Sequence, residues 1–335
     1  MYIIIGASSF IGVYTVEEFL KQGCEVIVTG RDNKFKWHYD ELGVEYINLD
    51  LTNSDDFSKL PTKEVEGVIL LGGLLPANST IDLDIDENAA DYFVVNTIGT
   101  INVLEYCRKN NISRVISNCS YADVIGSFGK KVITEEEPRD FLYKGDHAVY
   151  VFSKNAANDT LEYYNQQHGM KNAWFRFPPV YGVGPHDTLY INGTLKKSGL
   201  KIFIDSASKG EDICIFGDPN LSRDIVYVKD VAHAYYLAMK SSETYGLYNM
   251  TSGKGVSLHE QVEVISELWA PSTSQKSKII YNSDIKNNTK SYLFSMEKAK
   301  RDFGFVPQYS EFRTMMKDYK QDLENKKFWK LFKYE

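Results

Sequence analysis

The chain has 335 residues, 43% of them hydrophobic and 25% charged, which suits one large or two coupled globular domains. No run of eighteen apolar residues occurs, so no membrane span is expected, and a net charge of −7 argues against a general nucleic-acid binder. The four cysteines, Cys24, Cys107, Cys119 and Cys214, have no CxxC spacing, so idle thiols in a reducing cytoplasm are expected, with no metal site.

The first element follows from MYIIIGASSFIG. This stretch lacks the cationic start, long apolar run and cleavage site of a secretion signal. A strand at Tyr2–Ile5, a glycine turn and a helix over residues 13–22, closed by Gly23, fit it better. Further strands are predicted at 25–29, 67–71, 114–117 and 173–177, with helices over 88–109 and 147–168. This alternation predicts βαβ units and hence an α/β fold, a Rossmann-type doubly wound parallel sheet. Past Pro178 and Pro179 the pattern changes. Residues 198–212 read as a polar loop and 225–228 as a strand. Helices are predicted at 230–240, 257–269 and 296–303, followed by a charged, aromatic C-terminal helix. Residues 1–177 with about 224–250 are assigned to a dinucleotide-binding domain, and 178–223 with 251–335 to a smaller substrate-binding α/β domain.

Two segments carry cofactor chemistry. In GASSFIG, Gly6 permits a tight turn and Gly12 lets the helix approach the sheet, so the helix N-terminus can offer N–H groups to a pyrophosphate. Ser9 stands where a middle glycine is expected, and a plain tight turn is the alternative. The second strand ends VTGRD, with Gly30 where NAD-binding folds often place a ribose-binding Asp, and Arg31 next to it. An arginine suits a 2′-phosphate, which favours NADP over NAD; a solvated loop charge is the alternative.

AVYVFSK places Tyr150 and Lys154 on one helix face. An ammonium beside a phenol favours the phenolate, which can exchange a proton during hydride transfer. Tyr236 and Lys240 share the spacing but sit on a late helix, where packing is the expected role.

Taken in order, these motifs resemble the extended short-chain dehydrogenase/reductases, specifically the NAD(P)-dependent nucleotide-sugar epimerase/dehydratase family, over nearly the whole chain. GASSFIG, VILLGGLL, NTIGTINVLEYC, YVFSK, RFPPVYGVGP, RDIVYVKDVAHA, YNMTSG and SMEKAKRDFGFVP are similar to its landmarks. The resemblance implies cofactor contacts at Gly6, Ser8, Ser9, Phe10, Ile11 and Gly12, and at Arg31, Asp50 and Leu51. It adds Leu71, Gly72, Gly73, Asn96, Tyr150, Lys154, Phe177 and Val180. It also implies a Ser or Thr that orients the substrate hydroxyl. In SNCSYADVIG that role falls to Ser120 or Tyr121, with the choice open.

Family dehydratases carry an Asp-Glu pair after that position, whereas this chain has Ala122 and Asp123, so an epimerase is expected ahead of a dehydratase. Asp123 is a substrate-side base or a structural cap. Arg223 is expected to grip a nucleotide diphosphate, or else to pair with Asp224, and Phe216 to lie beside the base. Pro179 and Leu75 replace polar residues of the family, pointing to a deoxygenated sugar or a substrate that is not a sugar. The expected enzyme is a cytoplasmic homodimer, paired through helices 88–109 and 147–168, that epimerises a nucleotide sugar through a transient ketose. An NADPH-dependent ketoreductase is one alternative and a non-catalytic NADP sensor or scaffold another.

Overall fold

Ile3, Ile4 and Ile5 are all inaccessible to water, as a strand sandwiched between helices requires. Strand side chains alternate between faces. Ile4 therefore joins a core with Val13, Val16 and Phe19 of the first helix, and Ile3 and Ile5 join Val103, Leu104 and Leu161 on the other side. The computed structural model describes residues 1–78, 89–129, 132–145, 147–191, 193–286 and 290–334.

The central sheet has seven parallel strands: β1 (Tyr2–Ile5), β2 (Val26–Gly30), β3 (Glu45–Asn48), β4 (Gly67–Leu70), β5 (Val115–Ser120), β6 (Ala173–Phe177) and β7 (Gly246–Asn249). Their order is β7-β6-β5-β4-β1-β2-β3, with Ile5 opposite both Thr29 and Leu70. The chain reverses direction of winding between β1 and β4, and in such sheets ligands sit beyond the strand ends at that point. Helix α1 (Phe10–Lys21) follows β1, α2 (Gly99–Lys109) precedes β5, and α3 (Ala148–His168) precedes β6.

A separate core gathers Val183, Ile204, Ile215, Val262, Phe312 and Met316 from the later segments. It draws on α4 (Gly199–Lys209), where the sequence had predicted a loop within 198–212. Ser198 caps this helix, accepting from the Lys201 N–H at 3.2 Å, and Gly210 ends it at φ +68°. Leu200, Phe203, Ile204 and Ala207 supply an apolar stripe at helical spacing that the intervening serines and lysines obscured. The segment 251–335 does not pack as one body, because Ala299, Phe303 and Phe305 join the core of the sheet.

Two other predicted elements changed. Helix α1 begins at Phe10 because Ser9 caps it. Of the long helix predicted over 88–109, Asn88 lies outside the described residues, and Phe93–Ile98 forms a π-helical turn before α2. In α5 (Val228–Lys240), the second Tyr/Lys pair serves packing, as predicted. Tyr236 meets Phe19 edge-on at 5.8 Å, and Lys240 lies over the Tyr2 ring at 5.2 Å.

Candidate active site

The glycine turn is built for close approach. Gly6 has φ +84°, and a Cβ there would stand 2.7 Å from Gly72 Cα; one on Gly12 would stand 2.5 Å from the Gly6 carbonyl oxygen. Ser9 Oγ accepts from the Gly12 N–H at 3.1 Å, so the serine at the middle glycine position is an ordinary helix cap. The N–H groups of Phe10 and Ile11, in the first turn of α1, have no intrahelical acceptor and point out of the helix start. These groups fit a dinucleotide pyrophosphate. Ser8 lies beside Gly30, its Oγ 3.0 Å from where a Cβ on Gly30 would be. That same Cβ would collide with the Tyr46 hydroxyl, which donates to the Asp32 carbonyl. A side chain at position 30 would need Tyr46 to move, and Asp32 Oδ1 accepts from the Lys34 N–H at 2.8 Å. Arg31 is exposed at this edge.

Beyond β4 the chain runs as an open floor, Leu71, Gly72 and Gly73, with Leu51 packed against Gly72. The Asp50 carboxylate accepts from the Thr52 N–H and hydroxyl, both at 2.8 Å. Asn96, buried in the π-helical turn, accepts from the Leu74 N–H at 2.8 Å and donates to the Leu74 carbonyl and to Ser153 Oγ. Ser153 in turn donates to the Tyr150 carbonyl at 2.8 Å. Asn96 thus ties the floor to α3 rather than standing in the open, and π-helical turns often mark such functional positions. The sequence reading missed Ser153, although it sits inside YVFSK.

Tyr150 and Lys154 are both buried. Burial pushes the Tyr150 phenol above its ordinary value, with Cys119 and Tyr121 adding to the rise. Burial also lowers Lys154 to about 8. This differs from the expectation that the ammonium would bring the phenol down: desolvation is the largest cause, and the neighbours that act on the phenol add to the rise. Cys119, pushed up to about 12 by burial, lies within electrostatic reach of both groups.

The other candidates surround this pair. Ser120, buried at the end of β5 opposite Phe177, accepts from the Ala122 N–H at 3.1 Å, which leaves its own proton to donate. Tyr121 is half-buried and stacks with Phe128 and Tyr292. Asp123 is committed elsewhere. Its carboxylate meets Arg176 at 2.9 Å in a pair buried on both sides, with burial raising the Asp123 pKa against the pull of the guanidinium. This is an ion pair with Arg176, neither of the two roles expected for Asp123. Arg176, which the sequence reading missed, also donates to Asn249 Oδ1 of β7 at 3.2 Å.

Two cavities meet at Arg223. The larger, about 500 Å³, is lined by Val180, Gly184, His186, Phe203, Phe216 and Arg223. The smaller, about 380 Å³, is lined by Tyr121, Phe128, Pro179, Arg223, Lys290 and Tyr292. The alternative pairing of Arg223 with Asp224 is overturned, because the buried Asp224 carboxylate accepts from Thr251, from Ser252 at 3.3 Å and from the Phe294 N–H at 3.0 Å. Leu75 is exposed and lines neither cavity. Among the described residues, no group of three His, Cys, Asp or Glu could hold a metal ion, and no helix is long and apolar enough to cross a membrane.

The family model described as the NAD dependent epimerase/dehydratase family matches residues 2–251. A putative UDP-glucose 4-epimerase of Methanocaldococcus jannaschii is 29% identical over 267 residues, covering 79% of this chain and 81% of its own. The structure of UDP-glucose 4-epimerase from Thermotoga maritima with UDP-glucose aligns with a TM-score of 0.74 at 21% identity, covering 96% of this chain and all of that one. The Thermus thermophilus UDP-glucose 4-epimerase complex with NAD aligns at 0.72 and 23% identity, covering 96% of this chain and 99% of that one. These two likenesses carry the fold.

Proposed function

We propose, from the premise that this chain belongs to the NAD dependent epimerase/dehydratase family, that it epimerises a nucleotide sugar at a secondary alcohol. The observation that carries this reading is Arg223, which stands on the wall shared by two cavities. A guanidinium there suits a diphosphate, with the nucleoside on the Phe216 side and the sugar on the Tyr121 side. A uridine nucleotide is suggested by the names of the relatives, among them UDP-glucose and UDP-glucuronate 4-epimerases.

A dinucleotide held in this site would supply reversible uptake of hydride from the sugar carbon. Tyr150 accepts the hydroxyl proton and gives it back. Lys154 shares the helix face of the phenol, and Tyr121, on the cavity wall, orients the reacting oxygen while Ser120 fixes the turn beneath it. Rotation of the transient ketose within the site lets reduction occur on its other face. Gly6, Ser8, Phe10, Ile11 and Gly12 would hold the pyrophosphate, Leu71, Gly72 and Gly73 would lie beneath it, and Asp50 and Leu51 would serve the adenine end. The absence of a carboxylate at Gly30 and the exposed Arg31 beside it favour NADP over NAD. The protein acts in the cytoplasm as a homodimer, paired through the helices over Ala89–Tyr92, Phe93–Ile98, α2 and α3.

The test is to identify the small molecule released on denaturation by mass spectrometry, then follow UDP-sugars by NMR. Retained dinucleotide and an epimer formed without net cofactor turnover are expected. Stoichiometric consumption of added NADPH would replace this reading with a ketoreductase. That alternative is favoured by no geometry described above.

A further inference from the structure

The wall of the smaller cavity differs from that of an ordinary sugar site. Tyr121 and Phe128 are parallel within 1° at 6.0 Å, and Phe128 and Tyr292 stack at 4.3 Å. Ile125, Leu142 and Pro179 complete the apolar lining. Among the described residues, the polar side chains lining the cavity are the two phenols, Arg223 and Lys290. A hexose presents hydroxyls that both donate and accept, and each one buried without a partner weakens binding. Arg223 belongs to the wall shared with the larger cavity, where the diphosphate of the proposed substrate lies. Lys290 is exposed, so its ammonium stays in water at the rim. The stacked rings, with Ile125 and Leu142 beside them, offer a carbon surface to the far end of the sugar.

We infer that this cavity selects a nucleotide-linked 6-deoxyhexose, whose C6 methyl meets the Tyr121–Phe128–Tyr292 stack and Leu142, over the corresponding hexose or hexuronate. This rests on the nucleotide-sugar reading above and names the substrate class within it. An apolar pocket rejects an added hydroxyl by up to about 100-fold, so a preference of about 10- to 100-fold is the scale expected. A carboxylate fares no better, because it must leave water against an aromatic wall.

The experiment titrates the Tyr150→Phe variant, which binds without turning over, by calorimetry. Its ligands are free UDP and dTDP and their 6-deoxyglucose, glucose and glucuronate conjugates. The 6-deoxy conjugates are expected to bind about 10- to 100-fold tighter than the others. Leu142→Asn, at a position 57% exposed and so safe for folding, is expected to cut that preference to under about threefold while leaving UDP or dTDP affinity unchanged. Equal or tighter binding of glucose or glucuronate conjugates overturns the inference and leaves the nucleotide-sugar reading standing. Absence of binding by every nucleotide and conjugate overturns both.

Discussion

Tyr150 and Lys154 show what single residues reveal in sequence and what they conceal. Their spacing was legible, because four residues make one helical face. The balance of burial against charge was not, because it depends on Cys119, Tyr121 and Tyr92 brought in by other elements. With the phenol as proton acceptor and donor, Tyr150→Phe is expected to lower kcat by about 10²- to 10⁴-fold. Thermal unfolding and dinucleotide affinity should be nearly unchanged; full activity would remove Tyr150 from the chemistry. Lys154 has its own pH signature. Its pKa in the folded protein, about 8, lies below the ordinary 10.5. Folding therefore disfavours the ammonium. That cost is fully present below pH 8 and is relieved as the pH rises towards 10.5, over which range the unfolded chain binds more protons. Relative to Lys154→Met, the wild type should gain stability between pH 8 and 10.5, by up to about 3 kcal/mol. Denaturant titrations across that range check the slope; parallel curves would mean that Lys154 is not desolvated.

At the scale of elements, the strand–turn–helix at the N-terminus and the strand ends around it were readable from glycine positions and apolar runs. Helix α4 and β3 were not, since their apolar positions are few and interrupted. The ion pair between Asp123 and Arg176 was equally hidden. The residues are 53 positions apart, and only the pairing of β5 with β6 brings them together. The pair ties the turn after β5, which carries Tyr121 and is capped by Ser120, to β6 and β7. Removing one partner from a buried pair leaves an uncompensated charge and costs about 3–5 kcal/mol. Asp123→Asn should therefore lower the unfolding temperature by several degrees. Asp159→Asn is the control. It breaks an exposed pair with Arg139, whose side chains are 37% and 65% accessible, and should cost less than about 1 kcal/mol. Calorimetric scans of both variants decide the matter. Equal effects would mean that the Asp123 pair does not anchor the turn.

For the whole molecule, the order of motifs along the chain made the fold and the family readable, while the cavities became visible only when residues 121–128, 179, 223 and 290–292 were brought together. Phe93, Val94 and Ile98 are exposed on the turn before α2, and Tyr163 on the adjoining α3. Single exposed apolar residues are unremarkable, but several on adjoining helices form a patch suited to a second copy. The same helices carry Asn96, Ser153 and Tyr150, so a partner seated there would brace the floor and the catalytic helix together. Ile98→Glu changes an exposed side chain, so folding should be preserved while the proposed contact is broken. Light scattering should give twice the chain mass for the wild type and the chain mass for the variant, with unfolding temperatures within a few degrees. If the variant remains a dimer, the contact lies on another face; if the wild type is a monomer, Asn96 and Ser153 hold the site without a partner.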